Sequence, residues 1–525
     1  MRLKFTAVTL SKPLVWLSIL AVVGALGVVV ALRQQGTFTE TVQNGKRIIT
    51  VGPRDSLQAA LNAANYGDTI VIQAGVTLTG AFVLPKKSGT GEIVIQSSRI
   101  SELPEGARVN PSQSALFAKL QTTNSEPIIT TGSGAHHYRF QGIEFTTNGS
   151  IKQVYDVIRL GEGRGEQKTL EIVPHHLVID RCYIHGFDTQ DVQRGVSLNS
   201  AETTISNSYI SQIHGAGFDT QAIAGWNGPG PFHIINNYLE AAGENIMFGG
   251  ADPGIKGMVP SDIEIRGNHM FKPLTWKVGH PSYAGKHWTV KNLLELKNAK
   301  NVVIDGNVFE NCWTDGQTGI AILFTVRNQE GTAPWSILQN ITFTNNIVRG
   351  AEGSLNFLGS DNEKPSQRSS VAVISNNLFA DMRGPFLTMN GFNNVSITHN
   401  THLQIGNISI LYGTPVEKFV YSDNLTIRSS KGYGLFGDAT GEGTVALKKF
   451  APDYVFRNNV LVGADASLYP KENQFPESIE RVGFVNVDKG DYRLSPGSPY
   501  KKASSDGQPV GVDWDKLNFR AKSPE

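Results

Sequence analysis

The sequence predicts an all-β solenoid in which short parallel strands stack coil upon coil. One observation is a recurring pattern: an apolar residue, two polar or small residues, Asn, any residue and an apolar residue, as in residues 304–309. The other is strand-like alternation before and after the pattern, as in residues 302–305 and 319–324. Strands this short cannot bury a core alone, and stacking them buries one continuous core.

The fourth position of the pattern predicts the corner of each coil. It falls at residues 143, 182, 208, 237, 268, 307, 346, 377, 400, 424 and 459, and eight of these eleven residues are Asn. Asn suits a corner because it tolerates the left-handed conformation and bonds local backbone, and stacked Asn side chains can form a ladder. We therefore interpret these residues as structural and not catalytic.

A capped helix is predicted ahead of the first coils. Asp55 or Ser56 is the expected N-cap, and Gly67 is the expected stop before a strand at residues 69–72. Leu57, Ala60, Leu61 and Ala64 form one apolar face.

With these features, residues 47–515 resemble the right-handed parallel β-helix proteins of the pectin-lyase-like superfamily. The resemblance implies a single-stranded right-handed parallel β-helix of about 11–13 coils, whose open end the helix closes. The segments 491–499 and 507–513 resemble tails that close the far end of many bacterial β-helix proteins. Such proteins are often polysaccharide lyases, glycoside hydrolases or uronate epimerases. The Asp-Asp and Gly-His-Gly strings of polygalacturonase-like members are absent, as is the Trp-Ile-Asp-His string of pectate lyases.

The N-terminus predicts export. Residues 1–12 are basic and residues 13–32 carry no charge, which is long enough for one transmembrane helix with the solenoid on the extracytoplasmic side. A cleaved signal peptide is the alternative and would give a secreted or periplasmic protein. Residues 33–46 read as a polar stalk and residues 516–525 as a tail.

Composition narrows the partners. The net charge of +1, with no basic run, argues against nucleic acid as a partner. The resemblance implies polysaccharide as the partner, residues 13–32 imply the membrane, and we expect a monomer. Cys182 and Cys312 lie four coil steps apart, about 19 Å at 4.8 Å per step. A disulfide cannot span that distance, so we expect buried free thiols.

A functional groove is predicted where insertions lengthen the coils. The corner intervals 268–307 and 307–346 are long and rich in aromatic and charged residues, which suit sugars and uronate carboxylates. Strand parity points Lys291, Leu293, Glu295 and Lys297 outward, together with Ala321, Leu323, Thr325 and Arg327 of the next coil. Glu295, Lys297 and Arg327 are therefore expected to be neighbours, either in a groove or in a plain salt-bridge ladder.

The residue types in this region match the needs of a uronate lyase, the favoured activity. A lyase requires a base and a group that neutralises the uronate carboxylate. The candidates for these roles are Lys286, His287, Lys291, Lys297 and Arg327. The candidate sugar contacts are Trp276, Trp288, Trp313, Glu295 and Gln317. A hydrolase, an epimerase and a non-catalytic glycan-binding or structural envelope protein remain alternatives.

Ca²⁺ is the one cofactor that the sequence suggests. Glu240 and Glu310 occupy equivalent positions two coil steps apart, about 10 Å, and Glu244 is close in sequence. Carboxylates on successive coils can supply the oxygen ligands that Ca²⁺ prefers. These three residues are the candidate metal ligands.

Overall fold

In-register stacking of three parallel sheets dominates the computed structural model, which describes residues 38–163, 165–428 and 434–521. Each coil contributes one strand to each sheet in the order sheet 1, sheet 2, sheet 3. The predicted corners lie between sheets 1 and 2. The single-stranded right-handed parallel β-helix is confirmed, and the 13 strands of sheet 2 agree with the predicted coil number.

The strands are as follows. Sheet 1 contains Thr39–Gln43, Lys46–Val51, Thr69–Ile72, Ile93–Ser97, His136–Gln141, His175–Asp180, Ala201–Ser206, Gly230–Ile235, Ser261–Arg266, Ala299–Asp305, Leu338–Thr344, Ser370–Ser375, Asn393–Thr398, Phe419–Ser422 and Val455–Arg457. Sheet 2 contains Thr77–Thr79, Ala118–Thr122, Ile143–Thr147, Tyr183–His185, Tyr209–Ile213, Tyr238–Ala241, His269–Phe271, Val308–Cys312, Ile347–Ala351, Leu378–Met382, Thr401–Gln404, Leu425–Ile427 and Val460–Val462. Sheet 3 contains Phe82–Leu84, Ile129–Thr131, Gln153–Leu160, Asp191–Leu198, Gln221–Gly225, Glu244–Phe248, Leu294–Leu296, Ile320–Thr325, Gly353–Leu358, Leu387–Asn390, Ser409–Leu411 and Leu435–Gly437.

The remaining elements are short. Phe484–Asn486 and Asp491–Leu494 form an antiparallel pair. The α-helices are Leu57–Ala63, Thr444–Phe450 and Trp514–Ala521. The 3₁₀ turns are Ile100–Glu102, Pro111–Leu116, Leu170–Ile172, Leu274–Trp276, Ala466–Leu468, Ile479–Val482 and Val487–Lys489.

A buried asparagine ladder ties the coils together at the predicted corner. The side-chain amide of each Asn donates to the Oδ1 atom of the next, from Asn237 to Asn268 (3.0 Å) and onward to Asn459 and Asn473 (2.9 Å). The same Oδ1 also accepts from the preceding backbone N–H, at 2.9 Å between Asn268 and Asn307. The interpretation of these residues as structural is supported by these contacts.

The left-handed residue of each corner is not the ladder Asn but the residue before it. Asn236, Gly267, Gly306 and Asn345 have φ values of +55°, +62°, +66° and +56°. The ladder side chain can point inward because its neighbour makes the turn. The expectation that the fourth position itself adopts the left-handed conformation is therefore wrong.

The N-terminal end agrees with the sequence except at two boundaries. Ser56 caps the helix by accepting from the Ala59 N–H, and the predicted apolar face is buried, but the helix ends at Ala63, before Gly67. Residues 39–43, predicted as stalk, form an antiparallel strand paired with Lys46–Val51. The turn between them is Asn44-Gly45, with φ +50° and +75°, a dipeptide typical of a hairpin.

The C-terminal segment does not close the far end as predicted. Instead, it runs back along the corner between sheets 1 and 2, where Ser505 N–H donates to Asp423 (2.7 Å) and Val512 N–H donates to Thr401 (3.0 Å). The helix Thr444–Phe450 buries Leu447 and Phe450 in the main core beside the last strand of sheet 3.

The predicted N-terminal anchor, residues 13–32, lies outside the described residues. Among the residues that are described, no helix is long and apolar enough to cross a membrane. Cys182 and Cys312 are buried free thiols, as expected.

The ladder generates a stability prediction. We expect Asn307→Ala to lower the free energy of unfolding by about 2 kcal/mol or more, because each buried polar group left unpaired costs about 1–3 kcal/mol. The substitution leaves the Asn268 backbone N–H and the Ile265 carbonyl without the bonds they now make at 2.9 Å. Denaturant unfolding followed by circular dichroism measures the change.

Asn340→Gly is the matched control. Asn340 bonds Asn301 on the exposed outer face, and glycine tolerates its φ of +57°. An equal decrease in the free energy of unfolding in the two variants would show that the buried ladder stabilises the fold no more than the exposed Asn340–Asn301 bond does.

Candidate functional site

A groove of about 410 Å³ runs along the outer face of sheet 3, in the region predicted from the long intervals. Glu295, Lys297, Arg327 and Gln317 all line it, so the expectation that the first three are neighbours is confirmed. Adjacent coils supply them, because Glu295 pairs in register with Leu323, four residues before Arg327. The other lining residues are Thr318, Leu323, Thr325, Asn328, Gln329, Asn356, Asp361, Glu363 and Lys364.

Two buried carboxylates, Glu244 and Glu295, interact directly at one end of this groove. They lie on neighbouring strands of sheet 3, and their side chains are 0% and 3% exposed. Burial raises the pKa of Glu295 to about 7; Lys297, at 3.5 Å, opposes the shift and Glu244 adds to it. Two acceptor-only groups in contact require either a shared proton or a cation.

Several buried polar atoms in and beside the pair make no hydrogen bond to the described protein, although Glu244 Oε1 forms an ion pair with Lys291. They are Gln221 Oε1, Glu244 Oε1, Asn292 Oδ1 and Nδ2, and Glu295 Oε2. The register Gln221↔Glu244 and Ile246↔Leu294 places Gln221, Glu244 and Asn292 at one level on three successive coils. Buried atoms of this kind are normally satisfied, so this cluster of oxygens is unusual.

Lys291 neutralises part of this charge. Its ammonium lies 2.6 Å from Asp219 and 3.2 Å from Glu244, and its side chain is 10% exposed. Burial acts to lower the pKa of Lys291, but Glu244 and Asp219 outweigh it and raise the pKa above its ordinary value. Lys291 is thus held as a cation, which argues against its predicted role as a base.

Arg327 is held by a carboxylate on its other side. Its Nη1 donates to Asp361 at 2.9 Å and also contacts Asn362, which orients the planar guanidinium. Burial acts to raise the pKa of Asp361, but N–H donors from Asn328 and Glu363, together with Arg327, lower it. An oriented guanidinium suits recognition of a second carboxylate.

The other two predicted bases lie outside the groove lining. Lys286 donates to the Thr189 carbonyl at 2.9 Å and sits 3.8 Å over the Trp288 ring. His287 is exposed and bonds Asp315 at 2.6 Å. The structure therefore brings Lys297, but not these residues, to the buried carboxylates.

The three tryptophans pack the insertion and do not present faces to solvent. Trp276, Trp288 and Trp313 are 5%, 2% and 6% exposed and form one cluster with Ala242 and Val290. The expectation of exposed stacking surfaces is wrong because the insertion needs an apolar cluster of its own to hold it on the solenoid. His214 stacks on Trp288 at 3.7 Å, and burial lowers the pKa of His214 to about 3.

The three predicted metal ligands are not brought together. Glu310 bonds His269 and Arg349, each at 3.0 Å, on sheet 2. Glu240 is two coils away, as predicted, and accepts from the Gln212 N–H (3.0 Å) and the Tyr238 hydroxyl (3.1 Å). Only Glu244 belongs to the cluster at the groove.

Strand parity fails where the chain enters sheet 3. Leu293 and Ala321 were predicted outward, but both belong to the main core together with their successors Leu294 and Ile322. Two successive residues face the core because the backbone bends into the sheet at this point. The alternation resumes at Glu295 and Leu323, which is why the groove was still located correctly.

Sequence reasoning missed several polar residues of this region. Lys272 is fully buried, and its ammonium donates to the carbonyls of Ala241, Ala242 and Gly243 at 2.8, 2.9 and 2.6 Å. Burial lowers the pKa of Lys272 to about 8. Gln221 and Asn292 were also missed as members of the buried cluster. They become neighbours of the glutamates only when the coils stack, and no local sequence pattern marks such a residue.

Comparisons with known proteins identify the fold but no family. No family model matches the chain, and neither does any curated protein. Among solved structures, the alginate lyase AlyGC of family PL6 aligns with TM-score 0.51 and 13% identity, covering 89% of this chain and 58% of that one. An alginate lyase from Paenibacillus sp. aligns with TM-score 0.38 and 16% identity over 66% and 94% of the two chains. The adhesin PfbA of Streptococcus pneumoniae aligns with TM-score 0.36 and 14% identity over 70% and 83%. The chain is a right-handed parallel β-helix protein with the pectin-lyase-like fold.

The carboxylate pair generates a pH prediction. The raised pKa of Glu295 means that its protonated form stabilises the fold below pH 4.5 and that this contribution is lost as pH rises through about 7. In the presence of a chelator, which keeps metal ions from binding, we expect Glu295→Gln to raise the midpoint of thermal unfolding at pH 8 and to change it little at pH 5. The gain is roughly 3 kcal/mol at most, since one pKa unit corresponds to about 1.4 kcal/mol.

Differential scanning fluorimetry at the two pH values measures this effect. The matched variant is Glu363→Gln, an exposed carboxylate on the rim of the same groove. A gain at pH 5 equal to that at pH 8 would mean that Glu295 is ionised at both.

Proposed function

We propose that this protein is an exported polysaccharide lyase that cleaves uronate-containing polymers in the sheet 3 groove. The observation that carries the proposal is the arrangement of Lys297 and Arg327 along one groove that ends on the buried Glu244–Glu295 pair. This set supplies a base, a cation that can bind a carboxylate, and a cluster of buried oxygens whose negative charge requires a proton or a cation. The fold likeness to AlyGC, itself an alginate lyase, makes uronate polymers the first substrates to test.

In this proposal Lys297 is the base. It removes the proton next to the uronate carboxylate while the C–O bond to the neighbouring sugar breaks and a C=C bond forms. The released oxygen takes up a proton from water, and Lys297 returns the proton it removed to solvent, which gives one unsaturated end and one hydroxyl end. Lys297 is preferred to Lys291 because Asp219 and Glu244 hold Lys291 as a cation.

Arg327 binds the substrate carboxylate in this proposal. Its Nη1 contacts Asp361 and Asn362, which fixes the orientation of the guanidinium. Neutralising the uronate carboxylate is the main requirement of the step, because negative charge builds up beside it when the proton leaves.

The buried cluster fits Ca²⁺. Glu244, Glu295, Asn292 and Gln221 offer side-chain oxygens, four of which make no hydrogen bond to the described protein, and hard cations prefer oxygen ligands. These residues, and not the predicted trio Glu240, Glu244 and Glu310, would hold the ion. When bound, the ion would supply positive charge for the uronate carboxylate.

The proposed location of the protein follows from the sequence. Residues 13–32 serve as an uncleaved anchor, and the solenoid lies on the extracytoplasmic side, where polysaccharide is the partner.

Absorbance of unsaturated ends, measured with uronate polymers and the full chain, tests the reaction class. A lyase increases the absorbance. New reducing ends without an increase in absorbance would indicate a hydrolase. Exchange of solvent protons into an uncleaved polymer would indicate an epimerase, and binding without either change would indicate a non-catalytic glycan-binding protein. Each of the last three results rejects the lyase proposal.

The role of Lys297 makes a kinetic prediction. We expect Lys297→Ala to lower kcat by about 10²–10⁴-fold, the usual contribution of a general base. Lys300→Ala, an exposed lysine on the sheet 1 strand that follows, is the matched control and should keep the wild-type kcat. Initial rates of absorbance increase give both values, and full activity of Lys297→Ala would remove this residue from the mechanism.

The cluster also predicts a Ca²⁺ response that can be read without activity. After treatment with chelator, we expect added Ca²⁺ to raise the thermal midpoint of the full chain and restore turnover, since an ion that binds only the folded state stabilises it. Glu244→Gln should abolish the thermal shift, whereas Glu310→Gln should retain it. Isothermal titration calorimetry checks the stoichiometry, and an unchanged response of Glu244→Gln would place the ion elsewhere.

A further inference from the structure

Four histidines form a cluster on the outer face of sheet 1, away from the groove. His136 and His137 begin one strand, and His175 and His176 begin the next, with His136 and His175 paired in register. The rings stack across the coils, His136 on His175 at 4.8 Å and His137 on His176 at 4.3 Å. All four residues are half-buried.

The backbone conformation is what allows adjacent histidines to converge. His137 and His176 are left-handed, with φ of +58° and +54°. This conformation interrupts the normal alternation of a strand, so that both histidines of each pair project on the same side. As a result, the Nδ1 atoms approach within 2.8 Å for His136 and His137 and within 2.7 Å for His175 and His176.

The ring nitrogens are arranged as a ligand set. One ring nitrogen from each of His137, His175 and His176 lies within 4.8 Å of the others, the one group of at least three His, Cys, Asp or Glu residues among the described residues that meets this limit. Two nitrogens at 2.7 Å cannot both carry a proton in that contact, so at least one lone pair of each close pair faces into the cluster.

A carboxylate lies behind one of these rings. His176 Nε2 is 2.6 Å from Glu202 on the following coil, while its Nδ1 faces His175. A histidine that ligates a metal through one nitrogen usually donates its other N–H to a carboxylate, which fixes the tautomer and ring orientation.

The charge state favours ligation. Burial, together with repulsion from neighbouring histidines, lowers the pKa of His136, His137 and His175. Neutral imidazole is the form that binds metal. A cluster of four charged rings at these distances would repel itself strongly.

We propose that His137, His175 and His176 bind a first-row transition-metal ion of the Zn²⁺ class, oriented by Glu202 behind His176. Imidazole ligands select Zn²⁺, Cu²⁺ or Ni²⁺ over Ca²⁺ or Mg²⁺, which prefer oxygen. Binding requires the close Nδ1 pairs to open slightly, since ligands about 2.0–2.1 Å from a tetrahedral Zn²⁺ lie roughly 3.4 Å apart.

The ion would link two successive coils. After the sheet 3 strand Gln153–Leu160, residues 161–174 connect the coil of His136–Gln141 to the strand His175–Asp180 of the next. A metal bridge at the start of both strands would hold them together independently of the groove on sheet 3.

Zinc titration of the full chain without a polyhistidine tag tests the proposal. Competition with a colorimetric chelator should show one Zn²⁺ per chain and a rise in the thermal midpoint. His175→Ala and His176→Ala should each lose stoichiometric binding. Glu202→Gln should weaken binding by about 10- to 100-fold, the usual effect of removing a carboxylate that accepts from a metal-ligating histidine.

A second His–Glu pair on the same sheet provides the controls. His233 Nδ1 lies 3.2 Å from Glu264, in a comparable setting with no neighbouring histidine. His233→Ala and Glu264→Gln should bind Zn²⁺ as the wild type does. The proposal is rejected if the wild type binds no stoichiometric Zn²⁺, if His175→Ala and His176→Ala bind normally, or if His233→Ala loses binding to the same extent.

Discussion

The buried asparagine ladder is the constraint on which the rest of the structure depends. A solenoid corner exposes backbone N–H and carbonyl groups to the core edge, where water cannot satisfy them. Each ladder Asn satisfies them on both sides: the Oδ1 atom of Asn346 accepts from the Asn307 backbone and side chain (2.9 and 3.0 Å), and its amide donates to the Ile304 carbonyl (3.0 Å). This bonding fixes the spacing and register of successive coils at one corner. Because the register is fixed there, side chains on the outer faces become neighbours by coil position and not by sequence distance.

Coil stacking has an electrostatic consequence on sheet 3. The register pairs Glu295 with Met247, yet the side chains of Glu244 and Glu295 reach each other in a buried setting. Two carboxylates in contact are unfavourable unless a proton or a cation joins them. Lys291 and Lys297 compensate part of this charge, through ion pairs with Glu244 at 3.2 Å and Glu295 at 3.5 Å, but Lys291 is shared with a third carboxylate, Asp219. Buried oxygens of Glu295, Gln221 and Asn292 still make no hydrogen bond to the described protein. These oxygens favour a site that is completed by a group the chain itself does not supply.

The sequence predicts what depends on period and composition, and it fails where packing decides. The Asn period located every coil from 237 onward, and parity at Glu295 and Lys297 located the groove. Parity failed at Leu293 because a bend turns two successive residues toward the core. The role of Trp288 could not be inferred, since an aromatic residue in an insertion looks the same whether it contacts solvent or packs the insertion. Two features do carry a local signal: the dipeptide Asn44-Gly45 is typical of a hairpin, and the interval 143–182 is as long as 268–307 and 307–346.

The histidine cluster shows how one backbone position acquires different chemistry from coil to coil. A left-handed residue near the start of the sheet 1 strand recurs in several coils, at His137, His176, Glu202, Asp262, Asn301 and Asn340, with φ between +46° and +58°. In the later coils the side chains at this position form an exposed ladder: the Asn340 amide donates to Asn301, and the Asn301 amide donates to Asp262, each at 2.9 Å. With histidine at the same position, and a second histidine before it, coil stacking brings four imidazoles into contact at the spacing of one coil. A β-helix can thus build a ligand set by changing side chains alone, because the parallel pairing of the sheet 1 strands already holds the backbone in register.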